Sequence, residues 1–185
     1  MLAEDRQDFP NELIVVRCQL GERSAFDELV ERWYLRLWRY VRCMVDRTEQ
    51  AEEAVQETWV RVLRGLPRLR EPGRFGPWLF GIAHCVLMDR LRKKYTSTIE
   101  DSSPNTLAEH DDVPVFDTED VARLHEGLCR LPFIERETLT LFYLEGLSLH
   151  EVADVAGVPE GTVKSRLHRA RRLLRDLMGI KGALP

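Results

Sequence analysis

Five basic side chains stand within nine residues near the end of the chain: Lys164, Arg166, Arg169, Arg171 and Arg172, inside GVPEGTVKSRLHRARRLL (157–174). Ammonium and guanidinium groups, with the Ser165 hydroxyl and the His168 ring among them, can donate hydrogen bonds to guanine edges and to phosphates. A solvated helix face can carry the same charges, so the neighbouring residues decide between the two. In LSLHEVADVAGVPEGTVKSRLHRARRLL, Ser148 and Glu151 have capping-box spacing, which predicts a helix start. Ala153 is small where two helices would cross. Gly157 suits a left-handed turn position that a side chain would strain. Pro159 fits the first turn of a second helix. Val152, Val158, Val163 and Leu167 would then pack inward, while Lys164, Ser165, His168, Arg169 and Arg172 face out. A solvated face explains the charges but not the Ala–Gly–Val spacing. The pattern is that of a helix-turn-helix presenting a basic helix to the major groove.

Other chemistry is weakly supported. The chain has no Gly-rich phosphate loop, no metal-ligand spacing and no nucleophile motif, so neither an enzyme nor a cofactor is expected. Cys18, Cys43, Cys85 and Cys129 are scattered, without C-x-x-C or a Cys/His cluster, which argues against zinc and against a disulfide framework. Cys43 falls in an apolar helical pattern, where a buried thiol is the ordinary explanation. No apolar stretch approaches the ~18–20 residues of a membrane span. The polar start MLAEDRQDFPNEL is unlike a secretory signal, so no membrane insertion and a cytoplasmic location are expected.

The formal charge of −4 over 185 residues conceals a strong segregation. Residues 61–94 carry nine Lys/Arg against Glu71 and Asp89, and 159–178 carry six against Glu160 and Asp176. Between Tyr95 and Ala122 there are eight acids and no Lys or Arg. Local fields of this kind, rather than the mean charge, govern the choice of partner. The acidic segment would repel DNA phosphates unless it follows a basic channel.

The elements that would position these groups are helical. Phe26, Leu29, Val30, Trp33, Leu37, Tyr40, Val41 and Met44 step by threes and fours along one face, with Ser24 and Asp27 as a possible capping box. A second helix carries Ala51, Ala54, Val55, Trp59, Val62, Leu63 and Leu66, with Asp46 or Thr48 as N-cap, and ends before EPGRFGP (71–77). A third runs from about Trp78 to Lys94 and buries Leu79, Ile82, Ala83, Val86 and Leu87. A short helix is expected around 12–20. TSTIEDSSPNTLAEHDDVPVFD (96–117) has no periodicity and reads as a flexible linker. Helical pattern then resumes, broken at Leu131-Pro132, Gly146 and Gly157. The fold class is therefore all-α, with two small helical domains at 11–95 and 118–178.

LPFIERETLTLFYLEGLSLHEVADVAGVPEGTVKSRLHRARRLL (131–174) resembles region 4 of bacterial sigma factors, especially of the extracytoplasmic-function (ECF) group within the sigma-70 family. QAEEAVQETWVRVLRGL (50–66) looks like the region 2 helix that docks on core RNA polymerase. FGPWLFGIAHCVLMDRLRKK (75–94) resembles the segment that melts and reads the −10 element. The resemblance covers about residues 11–178, with the two regions in family order. It implies a promoter-specificity subunit whose partners are core RNA polymerase, promoter DNA and an anti-sigma factor. Carried over, Glu53, Gln56, Glu57 and Trp59 fall in the polymerase-binding motif, though the spacing of Trp59 equally suits core. Phe75, Trp78, Arg90 and Arg92 lie in the segment facing promoter DNA, Trp78 more as core support than as a stacking group. Lys164, Ser165, His168 and Arg169 match positions that meet −35 bases, and Arg166, Arg171 and Arg172 suit phosphates. The chain departs from the family at His84-Cys85, where Arg-Asn is common, and at Glu53, where Asp is common. A helix-turn-helix regulator outside the polymerase is the alternative, but 1–95 lacks the strand–helix alternation of a receiver domain.

Overall fold

The structure is a computed structural model that describes residues 10–100 and 119–179, and the side chains among these other than those of 94–100, 119–122 and 125. The described residues form eight α-helices and no strand: α1 (Asn11–Gln19), α2 (Arg23–Met44), α3 (Thr48–Gly65), α4 (Phe75–Glu100), α5 (Glu119–Cys129), α6 (Phe133–Leu139), α7 (Leu149–Ala156) and α8 (Glu160–Met178). Two 3₁₀ turns, Leu66–Arg68 and Pro72–Arg74, join α3 to α4, and Thr140–Leu144 is a π-helical turn after α6.

The first domain is a bundle of α1–α4 in which α2 is the central column. Leu29, Trp33, Leu37, Tyr40 and Val41 of α2 are buried against Ala51, Ala54, Val55 and Val62 of α3 and Phe75, Leu79, Phe80, Ala83, Val86 and Leu87 of α4. The small residues at 51 and 54 let α2 and α3 approach, and Thr58 is tolerated in the core because its hydroxyl donates to the Ala54 carbonyl at 2.7 Å. The expected apolar faces hold with two exceptions: Leu63 is exposed, and Ile82 is only half-buried. The expected caps do not. The N-cap of α2 is Glu22, and Ser24 donates to the Glu22 carboxylate (2.9 Å) instead of closing a box with Asp27. At α3 the N-cap is Arg47, without a side-chain hydrogen bond, because the chain enters the helix one residue after Asp46 and one before Thr48. The third expected helix starts three residues earlier, at Phe75, once the 3₁₀ turns have absorbed Pro67 and Pro72, and it takes Pro77 into its first turn. It also runs to Glu100, past the expected linker start at 96; residues 101–117 of that linker lie outside the described residues.

The second domain packs α8 against α6, α7 and α5. Its core is Leu128, Leu131, Leu139, Leu141, Leu147, Val152, Ala153, Val155, Val163, Leu167 and Ala170. The two domains touch: α4 lies along α7, and α2 meets α5, α6 and the π-helical turn.

Candidate nucleic-acid interface

The helix-turn-helix forms as its punctuation requires. The Ser148 hydroxyl accepts from the Glu151 amide at 3.2 Å, and the Glu151 carboxylate accepts from the Ser148 amide at 2.8 Å, which closes the capping box of α7. Gly157 adopts φ 62°, and the Val158 amide returns to the Ala153 carbonyl at 3.1 Å, so the chain reverses within two residues. A Cβ at 157 would carry the left-handed strain that glycine avoids. Pro159 sits at the N-cap of α8, one position before the expected first turn. Val152, Val163 and Leu167 are buried and Val158 is half-buried.

With Val163, Leu167 and Ala170 turned to the core, helical geometry places Ser165, His168, Arg169 and Arg172 on the opposite side. Lys164 and Arg171 flank that face on one edge and Arg166 on the other. Lys164, Ser165, His168, Arg169, Arg171 and Arg172 are exposed, and Arg166 is half-buried. Three side chains are held in place, Arg171 among them through its Nε, which donates to the Leu167 carbonyl at 3.3 Å. Ser165 donates to the Gly161 carbonyl (3.0 Å). The Arg169 guanidinium pairs through one terminal nitrogen with the Glu135 carboxylate, buried at the α6–α8 contact, while its side chain stays more than half exposed.

The face on α3 and α4 is built differently. Glu53 and Gln56 are exposed on α3, with Glu57 half-buried beside them. Arg90 of α4 bridges Glu53 (3.0 Å) and Glu57 (3.3 Å). Arg61 bridges Glu57 (2.6 Å) and Asp89 (3.0 Å), and these carboxylates, Asp89 foremost, push its pKa further up. The structure thus brings Arg90 to the acidic face of α3, while Arg92, largely exposed, reaches Asp89 at 4.0 Å. Trp59 is half-buried with its ring edge-on to Phe26 at 6.1 Å, which is a packing role. Phe75 is fully buried between Trp33 (5.4 Å) and Trp78 (5.9 Å). Its ring therefore supports the start of α4 from beneath and does not present a face to solvent. Trp78 is half-buried over Gly65, where a Cβ would stand 2.9 Å from its ring.

Three features were absent from the sequence reading. A groove of about 680 Å³ opens between α4, the 3₁₀ turns and α7, walled by Leu69, Pro77, Trp78, Ile82 and Val155 and edged by Arg70 and Arg74. Glu137, fully buried on α6, accepts from the Tyr40 hydroxyl at 2.6 Å and meets His84 Nδ1 at 2.8 Å. Burial, and then the Glu137 charge, push the Tyr40 pKa well up, so its proton stays on the phenol. Glu145 accepts from Arg36 at 3.0 Å; its pKa is raised by burial, against the pull of that arginine. The available signal was periodicity: Phe133, Glu137 and Leu141 are spaced by four, so Glu137 occupies a position where an apolar residue is expected. Among the described residues no cluster of three His, Cys, Asp or Glu side chains could hold a metal, and no helix is long and apolar enough to cross a membrane.

The family model described as Sigma-70 region 2 matches residues 29–96, and that described as Sigma-70, region 4 matches 122–174. The chain is 33% identical to the ECF RNA polymerase sigma factor SigM of Mycobacterium tuberculosis over 86% of its own length and 80% of that protein. It is 30% identical to the RNA polymerase sigma-H factor of Pseudomonas aeruginosa, covering 87% and 90% of the two chains. Among solved structures it resembles CnrH in complex with the cytosolic domain of CnrY (25% identity, TM-score 0.68, 93% and 99% coverage). The Bartonella quintana sigma factor RpoE, in complex with the anti-sigma factor NepR, shares its fold (21% identity, TM-score 0.73, 85% and 98% coverage).

Proposed function

Because the chain belongs to the ECF sigma factors of the sigma-70 family, we propose that it binds core RNA polymerase in the cytoplasm and directs initiation at promoters with two recognised elements. In this reading the acidic face of α3 (Glu53, Gln56, Glu57) docks on the polymerase. The segment 75–94 engages the melted −10 strand. The outer face of α8 reads the −35 duplex, with Lys164, Ser165, His168 and Arg169 toward bases and Arg166, Arg171 and Arg172 toward phosphates. An anti-sigma protein is the expected regulator. The observation that carries the reading is the exposed basic face of α8, opposite a fully buried apolar stripe and behind a closed capping box and a left-handed Gly157. Arginine and lysine on such a face can pair with guanine edges in the major groove. Two individually weak DNA contacts held by one polymerase act as a strong one through effective concentration.

The test is run-off transcription with core polymerase on a pool of genomic promoter fragments. Discrete transcripts that require the protein and share two upstream motifs are expected. A folded protein that binds core polymerase yet adds no transcript would contradict the reading.

A further inference from the structure

We propose that the groove between α4, the 3₁₀ turns and α7 is a binding site for a small aromatic monoanion, a flat apolar body that carries one carboxylate. The proposal goes beyond the promoter reading and does not depend on it, since binding is measured without DNA or polymerase.

One face of α4 forms the floor of the groove. Trp78, Gly81, Ile82 and Cys85 follow one another at i, i+3, i+4 and i+7, which puts them in a single row along the helix. The other side of α4, with Leu79, Phe80, Ala83, Val86 and Leu87, is spent on the core of the first domain. Leu69 and Pro77 extend the apolar wall, and Val155 of α7 faces it. Leu69, Pro77 and Ile82 stay half-buried, so apolar surface remains that a flat ligand would take from water. The volume of about 680 Å³ falls within the range of sites that enclose small molecules, roughly 300–1,000 Å³.

Gly81 points the same way. Glycine inside a helix destabilises it relative to alanine. Close packing accounts for two other glycines of this domain, because a Cβ at Gly65 would stand 2.9 Å from the Trp78 ring and one at Gly76 2.8 Å from the Trp33 ring. At Gly81 the backbone is helical and a Cβ would meet nothing within 4 Å. Neither conformation nor packing calls for glycine there. Its effect is to leave the floor bare between Trp78 and Cys85.

Charge at the rim selects the anion. Arg61 is held by Glu57 and Asp89, and Arg74 by Asp154 at 2.5 Å. Arg70 is exposed at the same rim and, among the described residues, has no hydrogen-bond or ion-pair partner. One free guanidinium beside an apolar wall suits one carboxylate, which it can take in a charge-assisted, two-point pair. Glu71 and Asp154 on that rim oppose a ligand with several negative charges.

The test is isothermal titration calorimetry of the full-length protein with 2-naphthoate, its neutral analogue 2-naphthamide, and deoxyadenosine monophosphate. Mass spectrometry of iodoacetamide alkylation at each cysteine locates the site, since Cys85 is exposed in the groove wall. The expected result is saturable binding of one 2-naphthoate below about 1 mM, with alkylation slowed at Cys85 and not at Cys18, Cys43 or Cys129. Naphthamide on wild type, and 2-naphthoate on Arg70→Gln, should bind about fivefold more weakly or worse. Gly81→Leu, checked for the wild-type helical signal, should fill the floor and abolish binding; should that variant misfold, Arg70→Gln at its exposed position decides. Absence of saturable binding, or binding without protection of Cys85, overturns the proposal. Equal affinity for the amide, or undiminished affinity in Arg70→Gln, overturns it too. Tighter binding of the nucleotide than of 2-naphthoate would assign the groove to nucleic acid and overturns it as well.

Discussion

α8 carries one basic segment of the chain and α4 the end of the other, and they present their cations in opposite ways. On α8 the cations stand outward over a narrow stripe of Val163, Leu167 and Ala170, with one arginine paired to a buried glutamate. On α4 the aromatic residue that opens the segment is buried, Arg90 is spent on two α3 carboxylates, and His84 lies under Glu137. The difference teaches that an amphipathic helix with a free side can be read residue by residue. A helix wedged between two partners cannot, because each side chain has two plausible destinations.

The largest effects should come from α4. Phe75→Ala is expected to cost about 3–5 kcal/mol of stability, since it empties a fully buried site between Trp33 and Trp78. Urea unfolding measures it. A loss within about 0.5 kcal/mol, the range of surface changes, accompanied by lost transcription would return Phe75 to the DNA surface. On α8, Lys164→Ala should leave unfolding nearly unchanged, whereas Arg169→Ala should also destabilise the fold by leaving the buried Glu135 carboxylate without its partner; either should cost about 1–3 kcal/mol at the −35 element if the residue reads a base. Titration against promoter duplexes varied at single positions separates base reading from a uniform phosphate loss.

Intermediate effects belong to the turn that aims α8. Gly157→Ala should destabilise by about 1–2 kcal/mol through its positive φ, and Ser148→Ala by about 1 kcal/mol through the lost cap. Thermal unfolding reports both. If Gly157→Ala proves neutral, the aim of α8 does not depend on the left-handed turn. Smaller still, Arg90→Ala should cost no more than about 1 kcal/mol, because its pairs with Glu53 and Glu57 are largely solvated. A double-mutant cycle with Glu57→Gln checks the coupling. The smallest expected effect is a pH one. Arg17, and then Ser24, hold the Glu22 carboxyl at about 2 against an ordinary 4.5. Its contribution is whole above about pH 4.5 and disappears as the pH falls through 2. Glu22→Gln should therefore flatten the acid limb of the stability profile slightly in that window, and only there.

Much of this was legible beforehand. The apolar stripes of α2, α3 and α4, the α7–α8 turn and the two-domain order follow from periodicity and from Gly and Pro chemistry at 146, 157 and 159. Caps at α2 and α3 were misread, since capping depends on where the chain enters a helix, and Glu22 and Arg47 lie at those entries. Leu63 stands at the edge of the apolar stripe of α3 and is exposed, while Val62 and Leu66 at the same end of the helix are buried. The partners of Glu135, Glu137 and Glu145 were hidden because a glutamate beside apolar residues looks the same whether it faces water or a tyrosine from another helix. Only Glu137, out of place at a four-residue spacing, left a trace.

The most direct measurement is selective transcription from a promoter library randomised over both elements, using core polymerase with the wild-type protein or with Arg169→Ala. Wild type should enrich two separated motifs, and Arg169→Ala should lose base preference at one upstream position while keeping the downstream motif. Equal weakening of both motifs, or an unchanged upstream motif, would contradict the assignment of the outer face of α8 to sequence reading.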